Sequence, residues 1–265
     1  MITQEKVDSY IKKIPPAPQT LKQTLLLLQQ GELTKAATKA KEDLALASYL
    51  IELVNKPLFG FRNEVTDISQ IFGILGLEGS QQAVYNYMIS LLSPSQWKFF
   101  HLTKNSFYDL QAELTTKYTK ILTHLNIKDP DIQNAIALLP ASIIVAEALF
   151  CEKLEDVALL RSVNEIDLNT ILTRLCGMDL FDICQRIGEK WNMSEKSMEI
   201  IQCASGIKPS KDEEINKMGK WMHLLLFYTL SQPTYINAGL NDFIDFHIDF
   251  VENIYADFAQ LMEIQ

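Results

Sequence analysis

The stretch VNKPLFGF, Val54 to Phe61, interrupts a leucine-rich run with a proline, a glycine and two phenylalanines in eight positions. Pro57 cannot extend a helix that ends at Asn55, and it biases Lys56 toward extended backbone, so the chain must turn sharply there. Gly60 admits a backbone conformation closed to most residues. Leu58 with Phe59 or Phe61 is then free to fold back as an apolar plug. The stretch reads as a rigid elbow between two packed helices. The whole chain spends only 10 glycines and 9 prolines on 265 residues, so each breaker carries weight.

Outward from the elbow the apolar spacing is helical. Leu46, Leu50, Leu53 and Val54 share one face, and Phe243, His247, Phe250, Ile254, Phe258 and Leu261 form another stripe. Alternating strand-like runs joined by Asn-Gly or Asp-Gly are absent. The expected class is all-α, a multi-helical bundle. Pro15, Pro16 and Pro18 separate a first short helix from a second, which Gly31 closes. Asp43 is placed to cap the helix LALASYLIELVN, Thr66 to cap DISQIFGIL, and Gly76 to stop it. Ser93-Pro94-Ser95 marks a change to longer helices, which predicts a lobe of short helices over 1–93 and a second lobe over 94–265, ending in an added helix over 237–265.

Taken in order, IPPAPQTLKQTLLLL, the Asp43 to Leu50 segment, the Asn55/Pro57/Gly60 elbow and Leu75-Gly76 closely resemble the HDOD (HD-related output) domain of bacterial signalling proteins. ALLPASII, Ala137 to Ile144, falls where that family tends to carry Gly-Leu-Leu-His-Asp-Ile-Gly. GMDLFDICQRIGEKWNM, Gly177 to Met193, resembles its Gly-x-Asp-His helix. The likeness runs from about Ile14 to Ala204. It implies an HD-type helical core. In the wider HD phosphohydrolase superfamily, histidines and a His-Asp pair hold the divalent metal that activates water. Here Pro140 and Ala141 stand at the His-Asp, Leu180 at a later His, and Cys203-Ala204 at a terminal His-His pair. Pro, Ala and Leu bring no metal-binding side chain, so the resemblance implies a degenerate, non-catalytic site with no metal and no cofactor.

Composition excludes further classes. A net charge of -9 with only short, acid-diluted basic clusters argues against nucleic acid, whose binding rests on clustered Lys and Arg. The amino terminus lacks a signal-peptide core, and the apolar run Ala137 to Phe150 is broken by Pro140, Ser142 and Glu147, which predicts a cytoplasmic protein without a membrane segment. Cys151, Cys176, Cys184 and Cys203 show no C-x-x-C spacing and read as free thiols. His101, His124, His223 and His247 show no H-E-x-x-H spacing. Asp242, Asp245, Asp249 and Glu252 read as a solvated acidic face. Gly73, Gly76 and Gly79 lack the preceding strand and the Lys-Ser/Thr of a phosphate loop.

The expected function is a non-catalytic signal-transduction module that acts by binding another signalling protein or a small ligand. Asn55, Lys56, Phe59, Phe61 and Arg62 are the candidate contact residues, a fixed turn presenting aromatics and cations. The plainer alternative is that Asn55, Pro57 and Gly60 only cap and turn the chain while the aromatics pack inward. A rival function is a small-molecule or nucleotide sensor that uses the vestigial cleft near Pro140, Ala141, Leu180 and Cys203. A divergent metal-dependent phosphohydrolase ranks last. Homodimerisation through the 237–265 stripe stays open.

Overall fold

A computed structural model describes residues 3–13, 19–163, 166–191 and 193–264, and among them every regular element is a helix. The chain is all-α. The proline-rich segment from Ile14 to Pro18 lies outside the described residues. Contacts divide the chain into two units, residues 15–92, and residues 93–265 together with 1–14. The first helix, α1 (Gln4–Lys13), thus belongs to the larger unit.

The smaller unit holds α2 (Gln19–Gln29), α3 (Leu33–Ala40), α4 (Leu44–Val54) and α5 (Ile68–Ser90). Helix α5 packs against each of the other three. The predicted face of α4 is apolar because Leu46, Leu50 and Val54 are fully buried, as are Ile71 and Phe72 of α5. Asp43 caps α4 as expected, accepting from the backbone N–H groups of Ala45 and Leu46, both at 3.0 Å. The cap of α5 is Asp67 rather than Thr66: its carboxylate accepts from the Gln70 N–H at 2.9 Å, and Lys41 pairs with it at 3.1 Å. Two adjacent residues offered a capping oxygen, and the one three residues before a free amide took the role. The amide bond and the nearby lysine hold Asp67 below the usual carboxylate range. Gly76 (φ 69°, ψ −176°) breaks the helical path, but the chain resumes helix at once, so it kinks α5 instead of ending it.

The larger unit is centred on α8 (Leu138–Glu152), whose buried residues lie all around its surface. Helix α11 (Leu180–Lys190) makes its most extensive contact, and α1, α6 (Lys104–His124) and α9 (Leu154–Val163) also pack on it. Among the described residues, Asp131–Glu152 is the one helical segment long and apolar enough to cross a membrane, and 83% of its most apolar window is buried inside the molecule, which makes it a core helix. Around these lie α7 (Pro130–Asn134), α10 (Leu168–Cys176), α12 (Glu195–Cys203), α13 (Glu213–Leu230), α14 (Pro233–Asn237) and α15 (Ile248–Met262).

The expected helix over 237–265 is shorter than its apolar stripe. Gly239 takes φ +82°, one turn of 3-10 helix follows at Asn241–Phe243 and Ile244 is extended, so α-helix resumes only at Ile248. Phe243 leaves the stripe for the core, with ring centroids 5.3 Å from Phe100 and 6.1 Å from Phe150. A long-range aromatic cluster outcompeted local helical spacing at that position. Downstream, α15 packs on α13 and buries Val251, Ile254, Phe258 and Met262.

Candidate functional site

At the elbow, Pro57–Phe59 form one turn of 3-10 helix that ends in left-handed backbone at Gly60 (φ 66°). Asn55 is the tie. Its side-chain Nδ2 donates to the carbonyls of Ile51 at 2.8 Å and Val65 at 2.9 Å, while its Oδ1 accepts from the Val65 N–H at 2.9 Å. One amide therefore does for Val65 what a neighbouring strand would do. Phe59 and Lys56 are half-buried, Arg62 is exposed, and Phe61 is 44% exposed. Phe61 is thus no inward plug: the turn presents it, with Arg62, to solvent.

The positions that the resemblance sets at the HD motif lie in the larger unit. Pro140 and Ala141 sit on α8 and Leu180 opens α11, and all three are buried. Cys203 ends α12 and is followed by Ala204, both fully buried. Cys203 Sγ lies 3.2 Å from Asn216 Oδ1, against α13. Cys184 Sγ lies 3.6 Å from the Leu138 carbonyl, which ties α11 to α8. Asp179, beside Leu180, caps α11 by accepting from the Asp182 N–H at 2.7 Å. Burial pushes its carboxyl above the usual range, although Lys208 stands 3.5 Å away. Among the described residues, no three His, Cys, Asp or Glu side chains come together in a way that would hold a metal ion. Pro140, Ala141, Leu180 and Ala204 bring no metal-binding side chain, and the one thiol among these positions, Cys203, is buried against Asn216.

The remaining titratable groups are held in structural roles. Glu147, 3% exposed, accepts from three successive backbone N–H groups, Lys98 at 2.6 Å and Phe99 at 3.0 Å on Oε1, and Phe100 at 2.9 Å on Oε2. His223, fully buried, is fixed in one neutral tautomer: Nδ1–H donates to the Ala204 carbonyl at 2.9 Å, and Nε2 accepts from the His247 N–H at 3.2 Å. Burial pushes the Cys151 thiol up to about 11, helped by Glu147, and the Cys184 thiol to about 12. Neither supplies a thiolate at neutral pH. The sequence shows Glu147 as a charge inside an apolar run and His223 as one of four scattered histidines, but not their partners, which lie far along the chain.

The helices packed around α8, with Asp179 capping α11, form an all-α domain. The sequence model of the family described as HDOD domain matches residues 14–207, and the chain belongs to that family. The fold is shared with solved structures at low identity. An HDOD domain protein of unknown function from Geobacter sulfurreducens is 14% identical, with a TM-score of 0.62 over 98% of this chain and 97% of that one. A Shewanella amazonensis protein named "Putative phosphohydrolase" is 12% identical, with a TM-score of 0.66 over 97% of each chain. No curated protein matches the chain.

Proposed function

We propose that this HDOD protein is a non-catalytic, cytoplasmic regulatory module that works by binding another signalling protein. One observation carries the reading: Pro140, Ala141, Leu180, Cys203 and Ala204, which the family resemblance sets at the metal-holding positions of an HD hydrolase, are each buried in helix packing. Hydrolysis through a divalent metal needs several convergent ligands at one open place, whereas these side chains offer one buried thiol, Cys203, and no other ligand. The Shewanella amazonensis protein named "Putative phosphohydrolase" shares the fold at 12% identity, and a shared fold does not carry that chemistry to this chain. The same burial disfavours a sensor seated at those positions.

The partner surface in this reading is the elbow. Asn55 fixes the turn, and Phe61 and Arg62 stand exposed on it, an aromatic and a guanidinium of the kinds that anchor protein interfaces. The test has two arms. The purified chain is assayed with Mn2+ and Mg2+ on bis-p-nitrophenyl phosphate, where no metal-dependent turnover is expected. It is then used, alongside Phe61→Ala and Arg62→Ala, to capture partners from a bacterial lysate. A partner retained by the wild type and lost by both variants supports the reading. Metal-dependent turnover that disappears in Asp179→Ala overturns it.

A further inference from the structure

Outside the family match over 14–207, α13, α15 and the segment between them enclose a concavity of about 560 Å3. Its floor is Leu224 and Phe258, 2% and 1% exposed, and its rim is the exposed Ser231, Ile248 and Tyr255. Two aromatic pairs build the walls: Phe227 against Phe246 with ring centroids 4.5 Å apart, and Tyr228 against Phe258 at 6.0 Å. The volume falls in the range of small-molecule sites, which are concave and mostly apolar with a few placed polar groups.

The polar groups and the charges narrow the ligand. No lining residue is charged; the polar side chains are two tyrosines, Ser231 and Gln232. Lys117 lies 4.2 Å from the Tyr228 ring, but Glu113 pairs with it. Ser231 is the C-cap of α13, so the polar end of the pocket sits at the negative end of that helix dipole. The Gln232 Nε2 donates one of its two hydrogens to the Tyr228 carbonyl at 3.1 Å, which orients the amide, and the Gln232 oxygen and the Ser231 hydroxyl are the side-chain acceptors offered to a ligand. An anion would find no cation and an opposing dipole there. An apolar body would bury itself between the aromatic walls.

We propose that this pocket binds a small uncharged molecule with an apolar, ring-containing body, whose hydrogen-bond donor faces Ser231 and Gln232. The site shares no residue with the elbow or with the HD-motif positions, so it stands or falls separately from the regulatory reading above.

The test is a fluorescence titration of the full chain with N-phenyl-1-naphthylamine, a neutral dye whose donor is the amine N–H between its two ring systems, and with 1-naphthyl phosphate as an anionic competitor. The expected result is saturable, blue-shifted emission with one dye per chain. Ile248→Glu and Ser231→Trp, both at exposed rim positions, should each weaken binding about tenfold or more. Their melting midpoints should stay within about 2 °C of the wild type, since surface substitutions of this kind perturb stability little. Three outcomes would overturn the proposal: no saturable binding, full affinity retained in both variants, or displacement of the dye by 1-naphthyl phosphate at comparable concentrations.

Discussion

Asn55 and Val65, ten residues apart, exchange two hydrogen bonds, side-chain Nδ2–H to the Val65 carbonyl and Val65 N–H to Oδ1, both at 2.9 Å. The proline and glycine set the direction of the elbow, but this pair closes it. Val65 is 7% exposed, so its backbone groups have little water to turn to.

Asn55→Ala should therefore destabilise the smaller unit by about 1–3 kcal/mol, the cost of leaving buried backbone groups unpaired. Asn55→Asp should cost at least as much, because a carboxylate keeps the acceptor but faces the Ile51 and Val65 carbonyls without a proton to give. Hydrogen exchange at the Val65 amide reads the effect directly. Unchanged protection there in Asn55→Ala would show that the tie is dispensable.

A second tie joins Glu147 of α8 to the segment 98–100. Three N–H groups on one buried carboxylate are charge-assisted bonds, and they seat the Phe99 and Phe100 rings beside Phe150, with centroids at 4.6 and 6.0 Å. Glu147→Ala is expected to cost about 3–5 kcal/mol. Glu147→Gln keeps an acceptor on one side and should cost less. Urea unfolding of both variants checks the order; equal losses would mean that packing, and not the bonds, sets the cost.

His223 makes stability depend on pH. Burial lowers its pKa below the usual 6.5, opposed by the bond to the Ala204 carbonyl and aided by His247, whose ring lies 5.7 Å away. The other rings against it, Phe246 and Phe250, are neutral. The unfolded chain thus binds a proton at a higher pH than the folded one. The stabilising contribution is complete above 6.5 and drains away as the pH falls below it, through the lowered folded value. Protonation also puts a hydrogen on Nε2, where the His247 N–H now donates. Unfolding free energies at pH 7.5 and 5.5 should show a larger loss for the wild type than for His223→Gln. Equal losses would remove His223 as the source.

Local signals were legible in the sequence, and long-range ones were not. Asp43 needed only its own next three residues to be read as a cap, and the α4 face needed only helical spacing. Thr66 and Asp67 differ by one position, and only the free amide of Gln70 decides between them. Phe243 fits the stripe of α15 by spacing, yet Phe100 and Phe150 claim it from far along the chain. At Pro140, Ala141, Leu180 and Cys203 the sequence shows the side-chain types, but the burial of Cys203 against Asn216 is a property of two packed helices. The pocket between α13 and α15 follows no motif, because its walls come from residues up to forty positions apart that share only their apolar character.

Two glycines in helices make the same substitution point in opposite directions. A Cβ on Gly219 of α13 would lie 2.5 Å from Cys203 Sγ, 2.6 Å from Cys203 Cβ and 3.1 Å from its backbone carbon, so α12 and α13 are as close as a missing side chain allows. The backbone of α12 cannot step aside as a flexible side chain would. Gly219→Ala gains about 1 kcal/mol of helix propensity and loses about 1–3 kcal/mol to overpacking, for a net loss. Gly73 of α5 is exposed, and a Cβ there meets nothing within 4 Å. Gly73→Ala should stabilise by about 0.5–1 kcal/mol, since it removes backbone freedom from the unfolded chain at no steric cost. Urea midpoints for the two variants should move to opposite sides of the wild type. If Gly219→Ala were neutral or stabilising, the close approach of Cys203 would not be the constraint that keeps a glycine at this position.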